Sequence, residues 1–182
     1  IIASNWYDNP SQKLTIIGIT GTNGKTTTAS LLHELFSNLG YSCGLLSTIE
    51  NKIETTAFKA THTTADALQI NTLLSEMVSA GCSHCFMEVS SHALSQNRIA
   101  GIKFAGAVFT NLTHDHLDFH KDMGSYFEAK AALFTSEYAD SAFINIDTSY
   151  GATLAERSSL TLTTISRSNP KAHWHFTNIT PT

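Results

Sequence analysis

Basic side chains are scarce in this sequence. Lysine and arginine number 11 against 15 aspartates and glutamates, and the formal charge of −4 comes with no evident basic patch. Nucleic acid is therefore excluded as the main partner, because phosphate backbones are gripped by clustered cations. Cysteine is equally sparse. Cys43, Cys82 and Cys85 are odd in number and make no disulfide framework, so a reducing compartment and a cytoplasmic location are expected. No run of about 18 apolar residues is present, which leaves no candidate membrane span. The opening Ile1-Ile-Ala-Ser-Asn-Trp-Tyr-Asp8 lacks the basic and apolar regions of a signal peptide. It also lacks an initiating Met and reads as mid-sequence, so an excised fragment is expected. Internal repeats and low-complexity tracts are absent as well.

What remains is apolar and uncharged enough to build a substantial core: 42% hydrophobic and 14% charged over 182 residues, a length that suits one domain or one and part of another. The most informative segment is Gly21-Thr-Asn-Gly-Lys-Thr-Thr-Thr28, directly after the apolar run Leu14-Thr-Ile-Ile-Gly-Ile19. A strand entering a glycine-rich turn, then a lysine and hydroxyls opening a helix, suits a nucleoside triphosphate. Turn and helix N–H groups face the phosphates, and the helix dipole favours their charge. Gly21 and Gly24 permit positive φ and close backbone approach. Lys25 would reach the outer phosphates and Thr26 would place a hydroxyl on Mg²⁺. The standard phosphate-loop spacing asks for glycine at position 19, where this chain has Ile19.

Strand and helix patterns alternate. Strands are expected at 14–19, 42–47, 84–89, 106–110 and 141–146. Helices are expected at 25–39 (Leu31, Leu32, Leu35, Phe36 and Leu39 at helical spacing), 65–80 and 123–136. The stretch 48–64 reads as loose and threonine-rich, and Leu160–Ile165 as a possible further strand in a polar tail. This alternation predicts an α/β fold, a mainly parallel sheet with flanking helices, of the phosphate-loop mononucleotide-binding type. Ligands in such sheets bind beyond the carboxyl ends of the strands. Three strands end there in polar chemistry: the glycine loop, Glu88-Val-Ser-Ser-His92 and Thr110-Asn-Leu-Thr-His-Asp-His116. Glu88 stands where a carboxylate can hold Mg²⁺, which prefers oxygen ligands; the competing reading is a surface glutamate. The cluster His114 to His120 admits a zinc site or a histidine at a second Mg²⁺, whereas Cys82 and Cys85 run into an apolar strand and read as packing. Lys130 lies on the apolar stripe of Tyr126, Leu133 and Phe134. Either it snorkels to solvent, or it is buried with a depressed pKa and an amine able to take up CO₂ as a carbamate.

Four runs together resemble the Mur ligases of peptidoglycan synthesis, in the branch that adds the third amino acid: Gly21 to Thr27, Met87-Glu-Val-Ser-Ser-His-Ala-Leu94, Phe109-Thr-Asn-Leu-Thr-His-Asp-His-Leu-Asp118 and Tyr126-Phe-Glu-Ala-Lys130. The resemblance covers about residues 14–150 and departs from the family pattern at His62 and Ala65. It implies ATP on Gly21, Thr22, Asn23, Gly24, Lys25, Thr26 and Thr27, with Asn111 near the nucleotide. It implies Mg²⁺ on Thr26, Glu88, His116 and a carbamylated Lys130, and makes Lys25, Lys130 and His116 the catalytic set. UDP-N-acetylmuramoyl-dipeptide contacts are implied for Thr63, Thr64, Ser90, Gln96 and Arg98. The implied reaction is ATP-dependent amide formation through an acyl phosphate, by a monomer. Residues 1–13 then read as a linker from a preceding uridine-holding domain, and 14–182 as the central ATPase domain, with the amino-acid-binding domain beyond. Folylpolyglutamate synthetase, the ligase half of cyanophycin synthetase and a non-catalytic ATP-binding module are the alternatives. Thr63-Thr64 and Gln96-x-Arg98 argue against the first two; retention of Glu88, His116 and Lys130 argues against the last.

Overall fold

The computed structural model describes residues 1–115 and 117–177, with the side chain of Leu117 left aside. In chain order the elements are α1 (Ile2–Trp6), a 3₁₀ turn at Pro10–Lys13, β1 (Thr15–Thr20), α2 (Lys25–Asn38), β2 (Cys43–Leu46), β3 (Glu50–Ile53) and β4 (Thr56–Lys59). They continue with α3 (Ala67–Ser79), β5 (His84–Glu88), α4 (Ser91–Ser95), β6 (Gly106–Phe109), α5 (Leu117–His120) and α6 (Met123–Ala131). A 3₁₀ turn at Ala132–Phe134 leads to β7 (Ser141–Asn145), α7 (Ser149–Arg157), β8 (Thr161–Ser166) and β9 (Trp174–His175).

The described strands form one sheet in the order β4-β3-β2-β5-β1-β6-β7-β8-β9. From β2 across to β9 neighbouring strands are parallel, whereas β3 runs antiparallel to both of its described neighbours, β2 and β4. The expected α/β architecture is therefore the observed one. The chain leaves β1 toward β2, returns to insert β5 beside β1, then crosses to β6 on β1's other side. Such a reversal opens a crevice at the carboxyl ends of the central strands. Register aligns Ile19 with Glu88 on one side and with Val108 on the other. Position 19 is thus a buried strand residue, and the glycine requirement first falls on Gly21, where the loop begins.

Alternation along the strands separates two cores. Ile19, Leu45 and Phe86 face α2, while Ile16, Cys85 and Met87 face α3 and α6. Asp66 caps α3 by accepting the Gln69 N–H at 2.9 Å; of the apolar residues that mark this helix in the sequence, Leu73, Leu74 and Met77 are buried, whereas Leu68 is 58% exposed. Cys82 and Cys85 are free thiols packed in the core, and burial pushes the Cys85 thiol up.

Several expectations need correction. The face of α2 turned to the sheet is Ala29 and His33, with Leu32 and Phe36 half-buried; Leu31, Leu35 and Leu39 are 60%, 52% and 64% exposed. Helical spacing marked one wide apolar arc, and only the part reaching the sheet is covered. The loose stretch 48–64 contains the β3–β4 hairpin, and an unexpected helix, α7, leads into the polar tail, where β8 forms the expected further strand. The helix at 123–136 tightens into a 3₁₀ turn after Ala131. Apart from these corrections, residues 1–13 lie against the domain: the Ile1 ammonium donates to Ala100 O at 2.9 Å, and the Thr72 hydroxyl donates to Tyr7 Oη at 2.7 Å.

Candidate functional site

The loop after β1 is fixed by the chain that follows β6. Gly21 has φ +148°, and a Cβ there would stand 1.9 Å from Thr110 Oγ1, so only glycine lets the two strand ends meet. Asn111 clasps Asn23 from both sides: its Oδ1 accepts the Asn23 N–H at 3.0 Å and its Nδ2 donates to Asn23 O at 3.1 Å. The Thr110 hydroxyl donates to the same carbonyl at 2.7 Å, and Asn23 Nδ2 donates to the Thr113 hydroxyl at 3.3 Å. Thr22 is buried. Its hydroxyl accepts the Thr113 N–H at 3.0 Å and lies 3.2 Å from Tyr126 Oη. Gly24, with φ +85°, ends the loop, and α2 starts at Lys25 with Thr26 and Thr27 in its first turn. The glycine-loop residues named from sequence thus occupy one strand-loop-helix unit, and Asn111 stands against it.

Two lysines converge on one carbonyl of this loop. Lys25 Nζ donates to Gly21 O at 3.0 Å and to Thr22 O at 2.8 Å; Lys130 Nζ donates to Gly21 O at 2.9 Å. Lys130 is 1% exposed, which settles the snorkelling alternative in favour of burial. Its amine lies 4.7 Å from the Tyr126 ring centroid, and among the described residues it forms no ion pair. Burial first, and then the Lys25 charge, lower its pKa to about 7 against an opposing pull from Asp115. Burial likewise lowers the pKa of Lys25, opposed by Glu88 and Asp115.

Glu88 ends β5 fully buried, so the surface-glutamate reading does not hold. Its Oε1 accepts the Thr48 N–H at 2.7 Å, and the Thr48 hydroxyl lies 3.1 Å from both Glu88 Oε2 and Thr63 Oγ1. Thr48 thus donates to the carboxylate and accepts from Thr63. The Thr64 hydroxyl donates to Glu88 O at 2.8 Å and accepts the Ser90 N–H at 3.0 Å. Ser90 caps α4 by accepting from Ala93 N–H. Arg98 Nη1 donates to Thr64 O at 2.8 Å, and Arg98 Nε donates to Gln96 Oε1 at 2.8 Å. Lys25, Thr63, Thr64, Ser90, His92 and Arg98 surround an open cleft of about 320 Å³ beside the loop. Gln96 is exposed and braces Arg98 without lining that cleft.

The residues suit Mg²⁺. Glu88 offers a buried carboxylate and Thr26 a hydroxyl, the oxygen donors Mg²⁺ prefers, whereas the Lys130 amine would offer an oxygen only as a carbamate. His116 lies outside the described residues. Of the described members of the His114–His120 cluster, His114 and Asp115 are exposed, whereas His120 turns inward to Ser91. Among the described residues no three His, Cys, Asp or Glu side chains group as metal ligands, so the zinc alternative finds no support there. Sequence reasoning missed Thr48, and it quoted Thr110 and Thr113 inside the strand-end run without giving either a role, since neither carries a pattern of its own. It read Tyr126 only as core, although its position four residues before Lys130 put both on one helix face.

The comparisons with known proteins agree with this geometry. The model of the Mur ligase middle domain matches residues 19–182. The UDP-N-acetylmuramoyl-L-alanyl-D-glutamate--2,6-diaminopimelate ligase of Cytophaga hutchinsonii is 57% identical over 157 residues, 86% of this chain and 32% of that protein. The enzyme of the same name from Gloeobacter violaceus is 53% identical over 155 residues, 85% of this chain and 32% of that protein. A solved structure of a ligase with that name superposes with a TM-score of 0.83 at 33% identity, over 95% of this chain and 37% of its own. A Mycobacterium tuberculosis folylpolyglutamate synthase, complexed with ADP and AMPPCP, shares the fold with a TM-score of 0.69 at 15% identity, over 89% of this chain and 45% of its own. The chain spans about a third of the length of the curated relatives it matches. With the phosphate loop, its clasp and the strand-end glutamate in one crevice, and these matches across nearly all its length, the chain belongs to the Mur ligase family as a middle domain.

Proposed function

We propose that this chain is the ATP-binding part of a ligase that adds 2,6-diaminopimelate, the amino acid named for its relatives, to UDP-N-acetylmuramoyl-dipeptide. The observation that carries the reading is the shared Gly21 carbonyl. Two lysines, one of them buried with no described carboxylate partner, meet at a loop that opens into the N-terminus of α2, and an anion there would offset both charges.

Each residue then has a task. The loop from Gly21 to Thr27 binds the triphosphate through its backbone, with Lys25 swinging from the loop carbonyls to the outer phosphates. Asn111, fixed on Asn23, holds the loop in shape for the nucleotide. Glu88, Thr26 and a carbamylated Lys130 would hold Mg²⁺, joined on the resemblance alone by His116. Mg²⁺ held there would supply charge neutralisation for the approach of the peptide carboxylate to the γ-phosphate. Carbamate formation joins the neutral Lys130 nitrogen to the carbon of CO₂ and releases one proton to solvent. Arg98, braced by Gln96, anchors the UDP-linked substrate with Thr63, Thr64 and Ser90 along the cleft. In the ligase the carboxylate would take the γ-phosphoryl group of ATP with release of ADP, and the incoming amine would attack the resulting acyl phosphate, forming the amide and releasing phosphate and a proton. Loop and cleft adjoin, so the reacting groups meet without diffusion.

The chain taken alone is expected to bind Mg·ATP weakly and to form no amide. Calorimetric titration of Mg·ATP into the chain and into Lys25→Ala tests the assignment. Saturable heat in the parent and at least a tenfold loss in the variant support it; equal affinities overturn it.

A further inference from the structure

His120 is buried with only 6% of its surface exposed, in a short helix whose neighbours carry the site. Its Nε2 lies 2.8 Å from the hydroxyl of Ser91, itself buried at the start of α4. Its ring stacks on Tyr126, with centroids 4.9 Å apart and planes 29° from parallel. Tyr126 is fully buried and does two things at the phosphate loop: its hydroxyl meets Thr22 Oγ1 at 3.2 Å, and its ring lies 4.7 Å from Lys130 Nζ. On the other side, the ring of His92, a cleft residue, meets His120 edge-on at 5.7 Å.

We infer that His120 is a positioning residue of the nucleotide site, acting through the Tyr126 hydroxyl on Thr22 of the phosphate loop. The inference rests on the nucleotide-binding reading above. A purely apolar side chain at 120 would fill the space beside Tyr126, but would leave the buried Ser91 hydroxyl without this partner. A polar pair in a core costs desolvation and in return selects one arrangement of the elements that carry it. Here those elements are α4, which leads from Glu88, and α6, which carries Tyr126 and Lys130. The stack fixes the Tyr126 ring, the ring fixes its hydroxyl, and the hydroxyl fixes Thr22 next to the carbonyl shared by both lysines. His120 therefore ties the substrate-side turn to the phosphate side without touching either ligand.

Tyr126→Phe removes the hydroxyl while keeping the ring, so it separates transmission to the loop from simple packing. The test is a two-by-two comparison of the parent chain, His120→Ala, Tyr126→Phe and the double variant. It reads the amide resonances of Gly21 to Thr27 in the free chain and the dissociation constant for Mg·ATP. The expected result is that His120→Ala shifts the Gly21 and Thr22 amides and weakens Mg·ATP about fivefold, but does neither in the Tyr126→Phe background. Equal effects in both backgrounds, or an unmoved loop in a folded His120→Ala chain, overturn the inference. Should His120→Ala not fold, Ser91→Ala releases only the far end of the anchor. It is then expected to move the same two amides and to weaken binding about twofold, and no movement overturns the inference. A parent chain that does not bind Mg·ATP defeats the nucleotide reading, while the amide shifts still decide whether His120 positions Thr22.

Discussion

The phosphate loop and the cleft beside it rise from neighbouring strand ends, yet they are held very differently. In the loop, Thr22 and Asn23 are tied to Thr110, Asn111, Thr113 and Tyr126, and Gly21 O receives two lysines. In the cleft, Thr63 and Arg98 border open space, and Arg98 is braced mainly by an exposed glutamine. A triphosphate asks for many N–H groups aimed in advance at one place, so the loop is built rigid. On the proposed function, the cleft would meet a long substrate with separated polar groups through few contacts on a wide surface. Glu88 joins the two regions, with its carboxylate on Thr48 and its carbonyl on Thr64.

This contrast can be broken in graded steps. The largest effect is expected at Gly21→Ala, where the new methyl meets Thr110 Oγ1 at a left-handed φ. A loss of about 3 kcal/mol in denaturant unfolding and loss of measurable Mg·ATP binding are expected. Thr48→Val should come next, because it removes a hydroxyl from a fully buried carboxylate: about 2 kcal/mol of stability, read by thermal unfolding. Asn111→Ala should cost about 1 kcal/mol in stability but close to tenfold in nucleotide affinity, since it frees the loop without opening the core. Arg98→Ala sharpens the comparison from the other side. Stability within about 0.5 kcal/mol of the parent, unchanged Mg·ATP affinity and weakened binding of the UDP-linked dipeptide are expected.

The smallest effect concerns a third strand end. Burial raises the Asp147 pKa, but hydrogen bonds from Ser166, Ser168 and the Arg167 backbone outweigh it and hold the carboxyl at about 2. A depressed carboxyl contributes stability above its unfolded value and loses that contribution as pH falls through the folded one. Acid unfolding of the parent should therefore show a small extra loss between about pH 4 and pH 2 that Asp147→Asn lacks.

The nucleotide half of the site was legible because its chemistry is local: Gly21 to Thr27 is one contiguous run after an apolar strand, and Glu88 and Asn111 each follow a readable strand. The parallel sheet was legible from the same alternation. What escaped is set by tertiary contact. Leu31, Leu35 and Leu39 have the spacing of a core face, but the sheet reaches only Ala29, Leu32, His33 and Phe36. Thr48 lies in a polar stretch whose hairpin depends on pairing with β2 rather than on its own alternation. Lys130 was ambiguous because periodicity cannot tell a buried amine from a snorkelling one; the fold decides it by laying Tyr126 and Gly21 over the amine. The inward turn of His120 depends on Ser91, 29 residues earlier in the chain.

The central claim is that the buried Lys130 amine belongs to a ligase-type nucleotide site. Its most direct test is the native-state mass of the chain in CO₂-equilibrated buffer, with and without Mg²⁺, beside Lys130→Ala. The account predicts an added mass of one CO₂ in the parent, strengthened by Mg²⁺ and absent from the variant. An unmodified parent under all these conditions, or the same adduct on Lys130→Ala, would contradict it.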